Sequence, residues 1–336
     1  MLATIKNADL GGVTPPSNLE ALRERGADLE AKRRSSATRK VYAREIAAFD
    51  AWTAANGFPS DPGDPVAVYG YLAHLADRKA LATIRKVAAC LSSIAKERGH
   101  VSPLKNDRIA GLLSGLRRET AEKGIRQGER AAIPLDDLRT MLATLDLTTL
   151  TGQRDAAILL LGFTGAMRRS EIVALNLEDL RFAPEGATIE IRLSKSDQTG
   201  EGATVAIPFG STLATCPVRN LKAWIDASKD LTPEIEGDET HSNPLFRSID
   251  RHGNLGGRLS DKGIAIIVKR TAKAAGFEVD HISAHSLRAG CATQAAKRGI
   301  GSEGIKRLGR WKSQVFQRYI RFATVWEDAP AARLGL

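Results

Sequence analysis

Only three cysteines, Cys90, Cys216 and Cys291, occur in a chain of 336 residues, and none stands in a CxxC or CxxH spacing. That excludes a disulfide framework and a cysteine-based zinc site. No stretch approaches the roughly 20 apolar residues that a membrane span needs. Met1 to Pro16 lacks a basic start followed by an apolar block, so no secretory signal is expected. These absences point to a soluble, reduced, cytoplasmic protein. Aromatic residues make up 5% of the chain, and only four are tyrosines: Tyr42, Tyr69, Tyr71 and, alone beyond residue 71, Tyr319. The 43% hydrophobic and 26% charged content is that of an ordinary globular chain and excludes a mainly disordered one.

Lysine and arginine number 49 against 39 acidic residues, a net charge of +10, and its placement is uneven. Residues 1–30 hold three basic and five acidic side chains, residues 31–130 hold 19 and 10, and residues 131–336 hold 27 and 24. Almost all the excess lies in about a hundred residues, enough for a small domain. Such a segment attracts a polyanion, because each neutralised phosphate releases condensed counterions. Charge alone is equally compatible with a solvated basic surface that serves solubility.

Glycine and proline punctuate residues 1–30, which read as a flexible lead-in with a short helix over Asn18–Glu30. Helical spacing of apolar residues follows over Ser36–Asn56, Val66–Arg78, Leu81–Arg98 and Asp107–Lys123, four amphipathic helices that make a bundle. The segment 123–131 carries basic residues and glycines and reads as a linker, giving domains at 31–122 and 132–336. In the second domain helices are expected from Pro134 to about Leu145 and over Arg154–Thr164, Val218–Ser228, Ser260–Ala275, Ser286–Arg298, Ser302–Leu308 and Ser313–Thr324. Between them Ala187–Leu193 and Ala203–Pro208 alternate in the strand manner around a polar loop, which predicts a β-hairpin. The fold class is mostly α with one small antiparallel sheet.

Four groups in the second domain carry chemistry. In Thr164-Gly-Ala-Met-Arg168-Arg-Ser-Glu171 a glycine turn delivers an arginine at a helix start, with a carboxylate on the same face three residues later. Arg168 offers fixed donors to a phosphate and Glu171 can hold the guanidinium, although such a pair is commonly a plain surface salt bridge. Lys195 lies in the loop of the predicted hairpin, placed either to donate a proton to a leaving oxygen or merely to keep the tip soluble. In His285-Ser-Leu-Arg288 a histidine and an arginine three apart on one helical face can grip the same phosphoryl oxygens, although a lone His-x-x-Arg is common by chance. Gly309-Arg310-Trp311-Lys312-Ser313 precedes Tyr319 by a short interval, and a tyrosine flanked by arginines is commonly half-buried packing.

In this order Arg, Lys, His-x-x-Arg, Trp and Tyr resemble the tyrosine recombinases of the phage-integrase family, over most of the chain. The resemblance implies a SAM-like helical core-binding bundle followed by a catalytic domain of the DNA breaking–rejoining fold. It implies that Tyr319 is the nucleophile of a covalent 3′-phosphotyrosyl intermediate. Arg168 and Arg288 would clamp the non-bridging oxygens, His285 would assist proton transfer, Lys195 would protonate the leaving 5′-oxygen, and Glu171 would support Arg168. Trp311 would fill the family's His/Trp position, but its interval to Tyr319 is one residue short, and alignment on Gly309 puts Arg310 there instead. A second histidine that often follows the His-x-x-Arg pair is absent, since Ala289-Gly290 stands there.

The resemblance further implies double-stranded DNA as partner, with a dimer on one site and a homotetramer on two exchanging strands through a Holliday junction. No metal or other cofactor is expected, because cationic side chains can fill the electrostatic role of a metal. Arg39, Lys40, Arg44, Arg85 and Lys86, clustered on helix faces, are candidate phosphate contacts of the first domain. The tail after Tyr319 would dock either on a neighbouring protomer or on its own domain. The competing readings are a type IB topoisomerase and a DNA-binding protein that has lost catalysis.

Overall fold

The computed structural model describes residues 19–124, 131–192, 202–229 and 243–321. The chain divides into two compact units, residues 1–127 and 128–336. The first begins with α1 (Leu19–Lys32), whose side chains stand largely in solvent. The bundle then comprises α2 (Ser36–Asn56), α3 (Pro65–Ala76), α4 (Leu81–Glu97) and α5 (Asp107–Glu122).

Local chemistry sets these boundaries. Ser35 Oγ accepts from the Thr38 N–H at the start of α2, and Gly57, at φ 69°, stops it in the left-handed region. Asp64 caps α3 from the Val66 N–H at 2.8 Å, with Pro65 in the first turn, where its missing N–H costs nothing. The bundle core gathers Phe49, Val68, Tyr71, Leu72, Ile84, Val87, Leu91 and Ile109. Trp52 stacks on Phe58 with ring centroids 5.2 Å apart.

The second unit is built on α7 (Leu150–Thr164), which is buried along almost its whole length. It starts four residues before the expected Arg154 because Thr149 caps it from the Gly152 N–H. Around it pack α6 (Leu135–Ala143), the short α8 (Arg169–Ala174), α9 (Pro217–Ser228), α10 (Asp261–Ala274) and α11 (Ala284–Lys297). The core includes Met141, Ile158, Leu159, Ile189, Trp224, Phe246, Val268 and Leu287.

The expected hairpin is there and is larger than the alternation suggested. Strands β1 (Leu180–Ala183), β2 (Gly186–Ile191) and β3 (Ala203–Pro208) form an antiparallel meander in that order, with Leu180 opposite Ile189 and Ile189 opposite Val205. A second sheet pairs β4 (Arg247–Ile249) with β5 (Leu255–Arg258), so the single expected sheet becomes two. Strand β1 is four residues long and largely exposed, and β5 holds two glycines, so neither shows a strand-like alternation. The chain continues through α12 (Ser302–Leu308), a 3-10 turn over Gln314–Phe316 and α13 (Gln317–Arg321). One helix from Ser313 was expected there; a turn and a short helix stand in its place.

Buried charge ties α7 to its surroundings. Asp155, fully buried, accepts from Arg154 Nε and Nη2 and from Arg270, while Arg154 Nη1 reaches the Arg247 carbonyl of β4. Such a network is tolerable because each buried charge meets a partner.

Candidate active site

The site begins where α7 ends. After Thr164 the chain turns through Gly165 and Ala166, the latter at φ 45°, and the turn places Arg168 just before α8. Glu171, in the first turn of α8, accepts the Arg168 backbone N–H at 2.9 Å and Arg168 Nη1 at 2.5 Å. Glu171 is 2% exposed. Its burial opposes ionisation, yet the Arg310 charge and the hydrogen bonds from Arg168 hold its carboxyl below the ordinary glutamate range. The Arg168–Glu171 pair is therefore no solvated surface salt bridge.

Helix α11 supplies the next groups. Ser283 caps it by accepting the His285 N–H, which sets His285 in the exposed first turn and Arg288 one turn inward, 1% exposed. Arg288 Nη1 donates to the Ala166 carbonyl and Nη2 to the Gly309 carbonyl, and its guanidinium lies 4.3 Å above the Trp311 ring. Burial, reinforced by the neighbouring positive charge of Arg168, pushes its pKa down to about 9. It is still cationic at neutral pH, beside a second guanidinium, and an anion between the two would relieve their repulsion.

The packing explains the residue that follows. Gly290 lies against the backbone of Ile133, and a Cβ there would meet the Ile133 carbonyl oxygen at 2.0 Å. The Ile133 N–H in turn donates to the Ser286 carbonyl at 3.1 Å, so the opening of this unit crosses directly over α11.

Helix α13 brings Tyr319 to this cluster. Its hydroxyl lies 2.5 Å from His285 Nε2, with the rings 5.6 Å apart in an edge-on arrangement. Thr293 Oγ1 on α11 donates to the Tyr319 carbonyl at 3.1 Å and tethers the helix. Trp311 packs against Phe316 at 5.6 Å and Tyr319 at 6.4 Å within a small core of Ala292, Ala295 and Ile305. Gly309 is required by that ring, since a Cβ there would lie 1.7 Å from a Trp311 ring carbon.

Arg168, Glu171, His285, Arg288, Trp311 and Tyr319 are thus brought together from four stretches of chain up to about 150 residues apart. Lys195 falls between β2 and β3, outside the described residues. Arg310 belongs to the cluster too: its Nη2 donates to Glu171 at 2.8 Å. Only its place after Gly309 signalled it in the sequence. Among the described residues no group of three or more His, Cys, Asp or Glu side chains could hold a metal, and no helix is long and apolar enough to cross a membrane.

In the first unit Arg39, Lys40, Arg44, Arg85 and Lys86 are all exposed. Two of them are not independent. Arg44 and Lys86 both pair with Glu45, at 2.6 and 3.1 Å, across α2 and α4. Glu45 is 8% exposed, and although burial opposes its charge, the bonds from Arg44 and Lys86 hold its carboxyl below the usual range.

Comparison with known proteins fits this geometry. Residues 132–324 match the model of the phage integrase family. An integrase/recombinase XerD homologue of Selenomonas ruminantium is 35% identical over 91% of this chain and 89% of its own length. A tyrosine recombinase of Synechococcus elongatus is 29% identical over 85% of each chain. Among solved structures, the Tn1549 transposon integrase in complex with a circular intermediate DNA superposes with a TM-score of 0.61, at 14% identity, over 94% of this chain and 97% of that one. A lambda integrase dimer bound to a COC′ core site gives 0.55, at 18% identity, over 90% and 95%. Those two likenesses establish the fold, and the family model and the sequence relatives carry the rest: the chain belongs to the phage integrase family and is a tyrosine recombinase, an enzyme of site-specific recombination.

Proposed function

We propose that Tyr319 cleaves double-stranded DNA by attacking a scissile phosphodiester. Its oxygen forms a bond to phosphorus, the P–O5′ bond breaks, and the protein is left joined to the 3′-phosphate. The tyrosine proton passes toward His285, and Lys195 gives a proton to the departing 5′-oxygen. A free 5′-hydroxyl of the partner strand then reverses the step, so the energy of the broken bond is conserved in the phosphotyrosine and neither ATP nor a cofactor is consumed.

An ordinary phenol has a pKa near 10 and is a poor nucleophile at neutral pH. The guanidiniums of Arg168 and Arg288 favour the phenolate and stabilise the charge that builds on the non-bridging oxygens. Trp311 supports Arg288 from beneath. The observation that carries this reading is the 2.5 Å contact between the Tyr319 hydroxyl and His285, one helical turn from the buried Arg288.

The core-binding unit, residues 31–122, contributes phosphate contacts through Arg39, Lys40, Arg44, Arg85 and Lys86, which position the enzyme without reading sequence. The catalytic unit, residues 132–336, is joined to it by the linker 123–131. Two protomers occupy one site, and four act on two sites through a Holliday junction; the tail beyond residue 321 lies outside the described residues. The enzyme works in the cytoplasm on the nucleoid. The named curated relatives are recombinases, which favours strand exchange over relaxation or loss of catalysis.

The test is a nicked suicide duplex built on a sequence that the full chain selects from a random pool. Wild type is expected to form a covalent protein–DNA adduct, and Tyr319→Phe none while still shifting the duplex on a gel. An adduct formed by Tyr319→Phe would overturn the assignment.

A further inference from the structure

Two non-glycine residues have positive φ among the described residues, Ala166 at 45° and Arg310 at 53°, and they touch each other. Arg310 Nη2 donates to the Ala166 carbonyl at 3.3 Å. Such conformations are sparsely populated for residues with a Cβ and persist where the surroundings over-determine them. Here the surroundings are the active site itself.

Arg310 accounts for its donors almost completely. Nη1 reaches the Gly165 carbonyl at 3.1 Å and the Leu308 carbonyl at 3.3 Å. Nη2 reaches the Ala166 carbonyl and, at 2.8 Å, Glu171 Oε2. Of its polar atoms only Nε, which is buried, has no partner among the described residues. The side chain is 13% exposed. An arginine that clamps a phosphate presents its terminal N–H groups to the ligand. Arg310 turns all four inward.

Its acceptors are those of the two phosphate-facing arginines. Glu171 holds Arg168 through Oε1 and Arg310 through Oε2. The Ala166 carbonyl accepts from both Arg288 and Arg310. Arg168, by contrast, bonds through its side chain only to Glu171 among the described residues and is 20% exposed. One turn carbonyl and one carboxylate therefore form a hub that three guanidiniums share.

We propose that Arg310 is a positioning residue. It locks Glu171 and the Gly165–Ala166 turn so that Arg168 and Arg288 aim their remaining donors at the scissile phosphate. Trp311 and Arg310 thereby divide one task, the tryptophan seating Arg288 and the arginine fixing the base of Arg168. This inference rests on the reading of the site as one that cleaves a phosphodiester.

The experiment measures the rate of adduct formation on the selected suicide duplex for wild type, Arg310→Ala, Arg310→Lys, Glu171→Gln and the Arg310→Ala/Glu171→Gln double variant. Arg310→Ala is expected to slow the reaction by about a hundredfold, the scale of a clamp misplaced by about an ångström, with duplex affinity unchanged. Arg310→Lys is expected to fail as a rescue, because one ammonium cannot span the carboxylate and three carbonyls. In the Glu171→Gln background, Arg310→Ala is expected to cost little more, because the two residues act as one unit. On a duplex with a methylphosphonate at the scissile position, which lacks the charged oxygen, the gap between wild type and Arg310→Ala is expected to narrow by about tenfold or more.

Wild-type rates for Arg310→Ala, full rescue by Arg310→Lys, strictly additive losses in the double variant, or an equal loss on both duplexes would each overturn the proposal. Absence of a Tyr319-dependent adduct in the wild-type enzyme would overturn the underlying reading instead, so the two failures are distinct.

Discussion

The first unit keeps the basic side chains singled out for DNA on the outside. Arg39, Lys40, Arg44, Arg85 and Lys86 are exposed, and the partner shared by two of them, Glu45, is the one buried acid among the described residues of that unit. In the second unit Arg154 is 4% exposed and Arg288 is 1%, with Asp155 and Glu171 buried beside them. Residues 31–130 hold the larger excess of positive charge, yet among the described residues every buried charge except Glu45 lies in 131–336. Exposed cations act together at a distance and are screened by salt. Buried ones act singly, at fixed positions, in a medium that strengthens each interaction. On the proposed function, the exposed excess of charge attracts the polyanion, while the buried guanidinium of Arg288 acts at one fixed position.

Removing Arg288 breaks that contrast most severely. Arg288→Ala takes the buried donor from the Gly309 carbonyl and leaves the Ala166 carbonyl only the longer bond from Arg310, and it is expected to lower stability by about 2–4 kcal/mol in chemical denaturation. Adduct formation is expected to fall by about 10²–10³-fold, measured below the melting transition, because a preorganised donor to the developing charge is gone. A variant that cleaves normally would show that the buried guanidinium is structural only.

Charge reversal on the outside is expected to act differently. Arg39→Glu and Arg85→Glu weaken binding to any duplex and reduce the slope of log affinity against log salt by about one for each phosphate that is no longer neutralised. Once the DNA is saturated, the cleavage rate stays that of wild type. A change in that rate at saturation would place these residues closer to the chemistry than their exposure implies.

The smallest effect expected is in acid. Glu171 is held below its ordinary pKa of 4.5, so its contribution to stability is fully present above that value and drains away as pH falls through the lower folded value. Melting temperature followed from pH 6 downward is therefore expected to drop more steeply below about pH 4.5 in wild type than in Glu171→Gln. Parallel curves would mean that the carboxylate is not stabilised by its two arginines.

Much of the helical framework was legible because apolar residues recur at helical spacing, as over Ser36–Asn56 and Leu81–Arg98, where α2 and α4 stand. The edge strand β1 and the β4–β5 pair were not legible. Three or four residues are too few for a period to declare itself, and their pairing is decided by neighbours. Tyr319 stood out as a solitary tyrosine and the His285–Arg288 pair by its spacing. Arg310 did not declare its part, because nothing local distinguishes an arginine that reaches Glu171, 139 residues away, from one that faces solvent.

The order of Arg168, His285, Arg288 and Tyr319 along the chain, the basic character of residues 31–130 and the helical periodicities were determined by the amino-acid sequence alone. Which guanidinium points outward and which turns inward was decided only by the tertiary structure. Hydrogen-bond direction and burial depend on acceptors supplied by distant segments, here the Ala166 and Gly309 carbonyls and the Glu171 carboxylate, and those acceptors come into reach only when α7, α8, α11 and the turn after α12 are packed together.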